Sequence, residues 1–168
     1  MAYRAPVRIE RTHAHDAFDC GEPALNDWLA RHALPNDAAG SSRVFVTTED
    51  GTNVVGYYAL AAAEVEPDAA TVRLAKGQPK NRPIPVALLA RLAVYSAHQG
   101  RGVGASLLKD AMVRSIEAAG NVGMRAILVH AKNEKARAWY ERNGFEPSPT
   151  DPLHLVLLMK DIRATLSP

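Results

Sequence analysis

The sequence predicts a mixed α/β fold with a mostly antiparallel sheet, and three patterns support this prediction. Asp50-Gly51 separates two β-prone runs, as the turn of a hairpin does. Residues 86–94 form a near-continuous apolar run, which indicates a central strand buried on both faces. A glycine-rich loop at residues 99–104 then leads into the amphipathic run 105–119, so that a strand passes directly into a helix.

The first part of the chain is predicted to supply an edge strand, one helix and the hairpin. Residues 6–12 alternate like a short edge strand, and residues 20–23 open a helix with a proline near its first position. The hairpin pairs residues 43–49 with residues 54–65 in antiparallel orientation, through a type I′ turn. The apolar residues that recur on one side of the helix are Leu25, Trp28, Leu29 and Ala33.

The second part of the chain is predicted to alternate helices with strands. Asn133 is expected to cap a helix, and Gly144 is expected to end it in the left-handed conformation. The order β-α-β-β-β-α-β-α-β contains one crossover, through the helix that follows the glycine-rich loop. Helices are predicted over residues 102–119 and 134–143, and strands over residues 125–131 and 153–160.

Length and cysteine content favour one domain that needs neither disulfide nor metal. The 168 residues are expected to fold as a single domain, residues 1–168. Cys20 is the only cysteine, and no Cys/His group has zinc spacing, so we expect no metal site and a reducing cytoplasm. The sequence has neither an apolar signal region nor an uncharged apolar run of membrane-spanning length, so we expect no membrane partner.

Residues 99–104 read Gln-Gly-Arg-Gly-Val-Gly and are predicted to bind phosphate. A strand that passes through glycines into a helix leaves several N–H groups unpaired at a point where the helix dipole favours an anion. The spacing differs from the dinucleotide motif GxGxxG and from the P-loop, which needs Lys-Ser or Lys-Thr after its last glycine. The pattern therefore indicates a pyrophosphate site, with a glycine-rich turn that holds no ligand as the alternative.

The net charge of +2 conceals an uneven distribution. From Ala69 to Lys109 the chain has seven basic residues and no Asp or Glu, which leaves 13 basic against 18 acidic residues elsewhere. Four of the seven lie well upstream of the glycine-rich loop. They predict contact with a second polyanion, and the alternative is a solvated basic loop. These four are Arg73, Lys76, Lys80 and Arg82.

Along nearly its whole length the chain resembles the GNAT acetyltransferase superfamily. The loop is similar to the family's coenzyme A motif Gln/Arg-x-x-Gly-x-Gly/Ala, with Gln99, Gly102 and Gly104 on the fixed positions, and residues 136–145 read Ala-x-x-Trp-Tyr-x-x-x-Gly-Phe. Five segments resemble more closely the GNAT toxins that are paired with ribbon-helix-helix antitoxins. One departure is Tyr95, where that group usually has aspartate. The five segments are residues 18–21, 25–29, 42–46, 83–85 and 89–94.

The resemblance implies acetyl-CoA as co-substrate and a central pair of strands that splay apart to admit it. It implies that Tyr140 is the general acid for the departing thiolate. The alternative is an aromatic residue that packs the helix on the sheet, a role for which Trp139 is the better candidate. The residues expected to bind the cofactor are Leu92, Ala93, Val94, Gln99, Gly100, Arg101, Gly102, Val103, Gly104, Ala105 and Asn133.

The resemblance also implies that the chain acetylates the α-amino group of aminoacyl-tRNA and so blocks translation. The absence of a carboxylate between Asp68 and Asp110 agrees with this, because an α-amino group with a pKa of ~7.7 to 8 needs a general base less than lysine does. His98 and His130 are alternative proton acceptors or merely structural residues. The residues expected to contact tRNA are Arg73, Lys76, Lys80, Arg82 and Arg91.

Two other functions are alternatives to the acetylation of aminoacyl-tRNA. One is acetylation of a small amine or a protein N-terminus; the other is a non-catalytic module that binds acetyl-CoA and acts as a co-repressor. The partners implied by the resemblance are a ribbon-helix-helix antitoxin, operator DNA only through that antitoxin, and a second copy of the chain in a homodimer. Which aminoacyl-tRNA is preferred depends on loop shapes that the sequence does not specify.

Overall fold

A computed structural model describes residues 2–166, which form a mixed seven-stranded sheet and six α-helices. The strands are β1 (Val7–Arg8), β2 (Arg43–Thr48), β3 (Val54–Val65), β4 (Ile84–Val94), β5 (Ala126–His130), β6 (Glu146–Pro147) and β7 (His154–Leu158). The helices are α1 (Pro23–Arg31), α2 (Ala33–Ala39), α3 (Val72–Ala75), α4 (Val103–Ala119), α5 (Glu134–Arg142) and α6 (Met159–Leu166). Short 3₁₀ turns lie at Pro67–Ala69 and Ser96–His98.

The sheet has the strand order β1-β2-β3-β4-β5-β7-β6. Strand β2 pairs antiparallel with β1 and β3, and β7 pairs antiparallel with β5 and β6. The parallel pair is β4 with β5, whose connection runs through α4. The mixed α/β class and the crossover through the helix after the glycine-rich loop are confirmed.

Packing divides the chain into two compact units, with the boundaries inside β3, β4 and α4. The first unit contains the residues up to Ala61 together with Ala90–Ala111. Its core gathers apolar side chains from α1, β2 and β3 around Tyr57, whose hydroxyl donates to the carbonyl oxygen of Leu25 at 2.7 Å. The predicted apolar side of α1 is confirmed, because Leu29 is buried and Leu25 and Trp28 pack on this core.

The second unit contains Ala62–Leu89 together with the residues from Met112 onward. Its core lies between the inner strands, with Val86 of β4, Leu128 of β5 and Val156 of β7 among its members. Leu74 of α3 is fully buried in it. A side chain of that size, removed entirely from water, stabilises the fold by about 1.5 to 3 kcal/mol.

The hairpin between β2 and β3 forms as predicted, but its turn is not type I′. A type I′ turn needs positive φ at both central residues, and only Gly51 has it, with φ of +84°. The Asp50 carboxylate instead accepts the backbone N–H groups of Thr52 and Asn53, and these bonds lower the pKa of Asp50 to about 2. An aspartate that bonds its own downstream backbone stabilises a longer turn.

Several short elements were not predicted, because tertiary contacts stabilise them. Helix α2 contains Pro35, yet it forms where Asp37 accepts from the backbone N–H of Val44 and pairs with Arg8. Strand β6 has only two residues and exists through its pairing with β7. The predicted last strand, residues 153–160, ends instead at Leu158, and α6 begins at the next residue with its Met159 and Ile162 buried.

Helix α5 has the predicted ends. The Asn133 side chain accepts from the backbone N–H of Ala136 at 2.9 Å, which caps the first turn. Gly144 follows the helix with φ of +94°, the left-handed conformation that favours glycine. Both predictions are confirmed.

In the part of the chain that the structure describes, no helix has the length and apolar character needed to cross a membrane. Within residues 2–166, no three His, Cys, Asp or Glu side chains meet as a metal site would require.

Candidate functional site

The glycine-rich loop lies in the first unit and leads into α4. Gly100 and Gly102 have φ of +79° and +83°, and a Cβ atom built on either would meet nothing within 4 Å. At both positions the left-handed backbone conformation favours glycine, and the space that a side chain would fill is open. The first N–H groups of α4, from Val103 onward, have no partner within the helix and mark the positive end of its dipole. This backbone fits a pyrophosphate.

Gln99, the first residue of the loop, attaches it to the end of β4. Its side-chain amide donates to the carbonyl oxygen of Val94 at 2.9 Å and to that of Cys20 at 3.3 Å. The predicted role of Gln99 was cofactor binding, and its contacts are those of a residue that positions the loop. Of the other predicted loop residues, Arg101 and Ala105 are exposed, Gly104 is half-buried and Val103 is buried.

His98, directly before the loop, has protein partners at both ring nitrogens. Its Nδ1 atom lies 2.8 Å from the hydroxyl of Tyr3, and its Nε2 atom lies 3.6 Å from a carboxylate oxygen of Glu49. The imidazole also makes an edge contact with the Tyr3 ring. Of the two roles that the sequence left open for His98, these contacts support the structural one.

The carboxyl half of β4 is less buried than the sequence predicted. The expectation of burial on both faces holds for Val86, Ala87 and Leu89, whereas Leu92 and Val94 are half-buried. The register with β5 covers Ala87–Leu89 opposite Ile127–Val129, while β4 itself continues to Val94. Beyond Leu89, Leu92 and Val94 therefore have no β5 residue opposite them in the register.

Arg91 itself stacks on an aromatic ring. Its guanidinium carbon lies 4.7 Å from the centroid of the Trp28 ring, within the range of a cation–π contact. This contact links β4 to α1 in the first unit. The sequence predicted that Arg91 contacts tRNA, and the structure adds a packing role for its side chain.

Tyr140 lies on α5 in the second unit and is buried, with 9% of its surface exposed. Its ring makes edge contacts with Trp139 and Phe145, at centroid distances of 5.0 and 5.3 Å. Burial raises the pKa of Tyr140 to about 12. Within residues 2–166 the hydroxyl has no hydrogen-bond partner, so it remains available to donate a hydrogen bond to a ligand.

The structure corrects the prediction that Trp139 is the better candidate for packing the helix on the sheet. Trp139 is half-buried, whereas Tyr140 is the more deeply buried of the two. The Tyr140 ring packs against Phe145, while its hydroxyl has no hydrogen-bond partner among the described residues. Packing and a chemical role are therefore not alternatives for this residue.

Asn133 has one side-chain atom committed and one still available. Its oxygen accepts the Ala136 N–H, which is the capping role, and its NH₂ group has no partner among residues 2–166. The side chain is exposed. Capping and the predicted bond to a cofactor amide are therefore compatible.

His130 and His154 form a pair that the sequence analysis did not identify. They face each other across β5 and β7 with ring centroids 4.0 Å apart, and His154 lies 3.4 Å from a carboxylate oxygen of Asp151. Burial lowers the pKa of His130, and the charge of His154 lowers it further. The two residues are 24 positions apart, so only the strand register could have revealed their contact.

The basic segment is exposed, but its first residue is paired. Arg73 donates two hydrogen bonds of 2.7 Å to Asp161 and one of 2.9 Å to Glu146, and these carboxylates raise its pKa. The charge count along the sequence did not reveal this pairing, because Glu146 and Asp161 lie far downstream of Arg73. The other three predicted contacts, Lys76, Lys80 and Arg82, are exposed.

One family model and one known relative match most of the chain. A family model described as an acetyltransferase (GNAT) domain matches residues 40–147. A tRNA-acetylating toxin of Mycobacterium tuberculosis (strain ATCC 25618 / H37Rv) is 51% identical over 164 residues, which cover 98% of this chain and 97% of the relative.

Solved structures are similar over the whole chain. AtaT complexed with acetyl-methionyl-tRNAfMet has a TM-score of 0.89 at 29% identity, and the match covers 99% of this chain and 100% of AtaT. A mutant AtaT toxin bound to the C-terminus of the antitoxin AtaR and acetyl-CoA has a TM-score of 0.83 at 26% identity, and the match covers 100% of both chains.

Proposed function

The chain belongs to the GNAT acetyltransferase family, and from that premise we propose that it transfers the acetyl group of acetyl-CoA to the α-amino group of an aminoacyl-tRNA. The observation that carries the proposal is the 51% identity, across 98% of the chain, to a tRNA-acetylating toxin. Acetylation would remove the amine that peptide-bond formation requires, so the product would block translation.

The backbone of the glycine-rich loop would hold the pyrophosphate of acetyl-CoA. The open, left-handed conformations of Gly100 and Gly102 and the N–H groups at the start of α4 support this assignment, which extends to residues 99–105. Leu92, Ala93 and Val94 would pair through their backbone with the pantetheine arm, and the free NH₂ group of Asn133 would bond one of its amides. Acetyl-CoA itself supplies an acyl group activated as a thioester.

Tyr140 would donate the proton that the departing thiolate needs. With a pKa of about 12, its hydroxyl stays protonated throughout the neutral range, and it has no competing partner among residues 2–166. Placing such a donor within hydrogen-bond reach of the leaving group contributes typically 10²- to 10⁴-fold to rate.

The acceptor amine would enter without a dedicated carboxylate base. A free α-amino group has a pKa of ~7.7 to 8, so ~10% to 20% of it is already neutral at pH 7. A lysine side chain, with a pKa of ~10.4, is almost entirely charged at that pH. This difference favours an α-amine as acceptor over a lysine.

Basic residues would bind the RNA. Lys76, Lys80 and Arg82 are exposed and would contact phosphates directly. Arg73 and Arg91 would contribute less, because Asp161 and Glu146 compensate the charge of Arg73 and the Trp28 ring holds Arg91.

A ribbon-helix-helix antitoxin would restrain the activity, and operator DNA would be reached only through it. A mutant AtaT toxin bound to the C-terminus of its antitoxin is similar over the full chain, which supports an antitoxin as partner. We further propose that the chain forms a homodimer, which light scattering on the purified protein tests. Its substrate would place it in the cytoplasm.

The direct test is incubation of the protein with labelled acetyl-CoA and total aminoacyl-tRNA. We expect label on the RNA, in a form that survives as an N-acetylated amino acid after mild alkaline hydrolysis of the ester. Uncharged tRNA is the control and should stay unlabelled. Label that appears only on small amines or on protein N-termini would replace this proposal with the competing acetyltransferase function, and no transfer at all would favour the non-catalytic module.

A further inference from the structure

The glycine-rich loop takes its direction from the residues at its entry. The short 3₁₀ turn Ser96–His98 joins β4 to the loop, and the backbone N–H of Ser96 donates to the carbonyl oxygen of Asp19 at 2.8 Å. Beyond this turn, a side chain at Gly100 or Gly102 would meet nothing within 4 Å. No packing at these two glycines holds the loop, so the contacts of the turn orient it.

His98, the last residue of that turn, connects the loop to two other segments of the first unit. Its Nδ1 atom bonds the Tyr3 hydroxyl at 2.8 Å, and its Nε2 atom faces a carboxylate oxygen of Glu49 at 3.6 Å. A carboxylate only accepts, so Nε2 carries a proton, and in the neutral imidazole Nδ1 accepts from the Tyr3 hydroxyl. Only 14% of the His98 side chain is exposed. Both ring nitrogens are therefore engaged by side chains from distant parts of the sequence.

Both partners of this imidazole are attached to strand β2. The backbone N–H of Arg4, next to Tyr3, donates to the carbonyl oxygen of Thr48 at 2.7 Å, and the Arg4 carbonyl accepts from the Thr47 hydroxyl at 2.6 Å. Glu49 directly follows the last residue of β2. Because β2 contributes side chains to the core of the first unit, that core supports the imidazole and, through it, the loop entry.

A cavity of about 220 Å³ lies beside the imidazole. Glu49, Tyr95 and His98 are among the residues that line it. The Oε2 atom of Glu49 is buried and has no hydrogen-bond partner among residues 2–166. The Tyr95 ring contacts the imidazole at a centroid distance of 5.6 Å, and in the described part of the chain no hydrogen bond joins these two side chains. Open space on this side gives the imidazole room to turn, so the polar contacts with Tyr3 and Glu49 orient it.

We propose that Tyr3 and Glu49 act through His98 as positioning residues for the glycine-rich loop and thereby set the affinity for acetyl-CoA. This inference rests on the proposed function, in which the loop holds the pyrophosphate. The oriented imidazole keeps the loop N–H groups aligned before the cofactor binds. When a partner is lost the loop entry moves, and the cofactor must order it on binding, which lowers affinity. The thioester and Tyr140 are unaltered, so the rate at saturating acetyl-CoA is unaffected.

The test compares Tyr3→Phe with Tyr95→Phe in the full chain. Each variant removes one hydroxyl from a ring that contacts His98, but only the Tyr3 hydroxyl bonds the imidazole. For Tyr3→Phe we expect the calorimetric affinity for acetyl-CoA to fall about fivefold and the KM for acetyl-CoA to rise equally, with kcat unchanged. Tyr95→Phe should match the parent, and thermal unfolding should show that both variants are folded. Parent-like affinity in Tyr3→Phe, or an equal loss in both variants, overturns the proposal.

A second ligand separates loop positioning from a general loss of structure. S-acetylpantetheine carries the thioester without the pyrophosphate, and competition against acetyl-CoA measures its affinity. We expect the parent and Tyr3→Phe to bind it equally, because it has no phosphate for the loop to hold. An equal loss of affinity for both ligands would leave Tyr3 a structural role only, and the proposal would fall.

A double-mutant cycle tests whether Tyr3 acts through His98. His98→Phe keeps an aromatic ring but removes both nitrogens, and we expect it to lower acetyl-CoA affinity about fivefold or more. Adding Tyr3→Phe should then change the affinity little, because its partner is already missing. Glu49→Gln removes the charge that faces Nε2 and should lower the affinity about threefold. Losses that multiply in the double variant, or parent-like affinity in Glu49→Gln, contradict positioning through His98.

The affinity measurements need no acceptor RNA, so they separate the positioning role from the activity. A parent protein that binds acetyl-CoA but acetylates no aminoacyl-tRNA refutes the proposed acceptor and leaves the positioning role intact. A loss of acetyl-CoA affinity in Gly102→Ala, together with parent-like affinity in Tyr3→Phe, refutes the positioning role alone.

Discussion

Burial changes what the phenol of Tyr140 can do. Its ring packs between Trp139 and Phe145, and the loss of water around the hydroxyl raises the pKa of Tyr140 to about 12. The raised pKa keeps the hydroxyl protonated throughout the neutral range, so that it is present as a hydrogen-bond donor for the sulfur of a departing thiolate. Burial therefore accounts both for the packing of the Tyr140 ring and for the raised pKa of its hydroxyl.

Tyr140→Phe is expected to remove the proton donor while keeping the ring and its contacts. We expect kcat to fall by ~10²-fold or more, with acetyl-CoA affinity and thermal unfolding close to those of the parent. Calorimetry of acetyl-CoA binding controls for an intact cofactor site. Transfer at the parent rate would show that another group protonates the thiolate.

Gly102 is a residue at which the backbone conformation, and not the side-chain space, requires glycine. With φ of +83°, an alanine would cost about 1 to 2 kcal/mol of stability. Gly40, which ends α2 with φ of +79° and open space beside it, offers a matched position outside the loop.

Gly102→Ala and Gly40→Ala should therefore lower stability by similar amounts but differ in cofactor binding. We expect about tenfold or greater loss of acetyl-CoA affinity for Gly102→Ala, because the loop N–H groups lose their alignment, and parent-like affinity for Gly40→Ala. Calorimetry and thermal unfolding give the two readouts. Equal acetyl-CoA affinities in the two variants would remove the pyrophosphate from this loop.

At the scale of elements, the pairing of β5 with β7 brings together two histidines, one from each strand. Their register sets His130 opposite His154, with the rings stacked. Burial and the neighbouring charge lower the pKa of His130 below its ordinary value of ~6.5. Because the folded chain resists protonation there, this contribution to stability is present above pH ~6.5 and is lost as pH falls below it.

His154→Gln should raise the pKa of His130, but not fully to its ordinary value, since burial is the larger cause and remains. NMR titration of the His130 ring protons measures this directly. His32→Gln, an exposed histidine on another element, should leave the titration unchanged. A lower pKa in His154→Gln would contradict the stacked pair.

At the scale of the whole molecule, the charge distribution and the missing carboxylate base predict the pH dependence of the reaction. From residue 69 to residue 109 the chain contains no Asp or Glu. Under the proposed function the substrate amine would lose its proton to water. The rate would then follow the ionisation of the substrate amine. Tyr140 would not limit it, because its pKa of about 12 lies well above that range.

We expect kcat/KM for aminoacyl-tRNA to rise with pH up to the pKa of the amine, at or below ~8, and to stay level to pH ~9. Initial rates at saturating acetyl-CoA give the profile, with uncharged tRNA as blank. The Tyr140→Phe variant should show the same rise at a lower rate. A profile that decreases between pH 8 and 9 would indicate an acid with a pKa in that range, which Tyr140 does not have.

Local patterns in the sequence determined much of the fold. The proline at the start of α1 and the cap and glycine around α5 are each governed by neighbours a few residues apart, and the structure has them. The edge strand predicted over residues 6–12 is shorter, because only Val7–Arg8 pairs with β2. The glycine-rich loop belongs to the same class, since positive φ at Gly100 and Gly102 is a property of the loop itself. Local sequence therefore specified the backbone conformation of the glycine-rich loop.

Tertiary structure decided the features that depend on residues far apart in sequence. The short elements α2 and β6, the stacked pair His130 and His154, and the compensation of Arg73 by Glu146 and Asp161 each require partners from other segments. Charge along the sequence predicted a polyanion site, and only packing showed that Arg73 is paired with two carboxylates. The physical reason is that hydrogen bonds and ion pairs depend on distances in space, which a sequence specifies only through the complete fold.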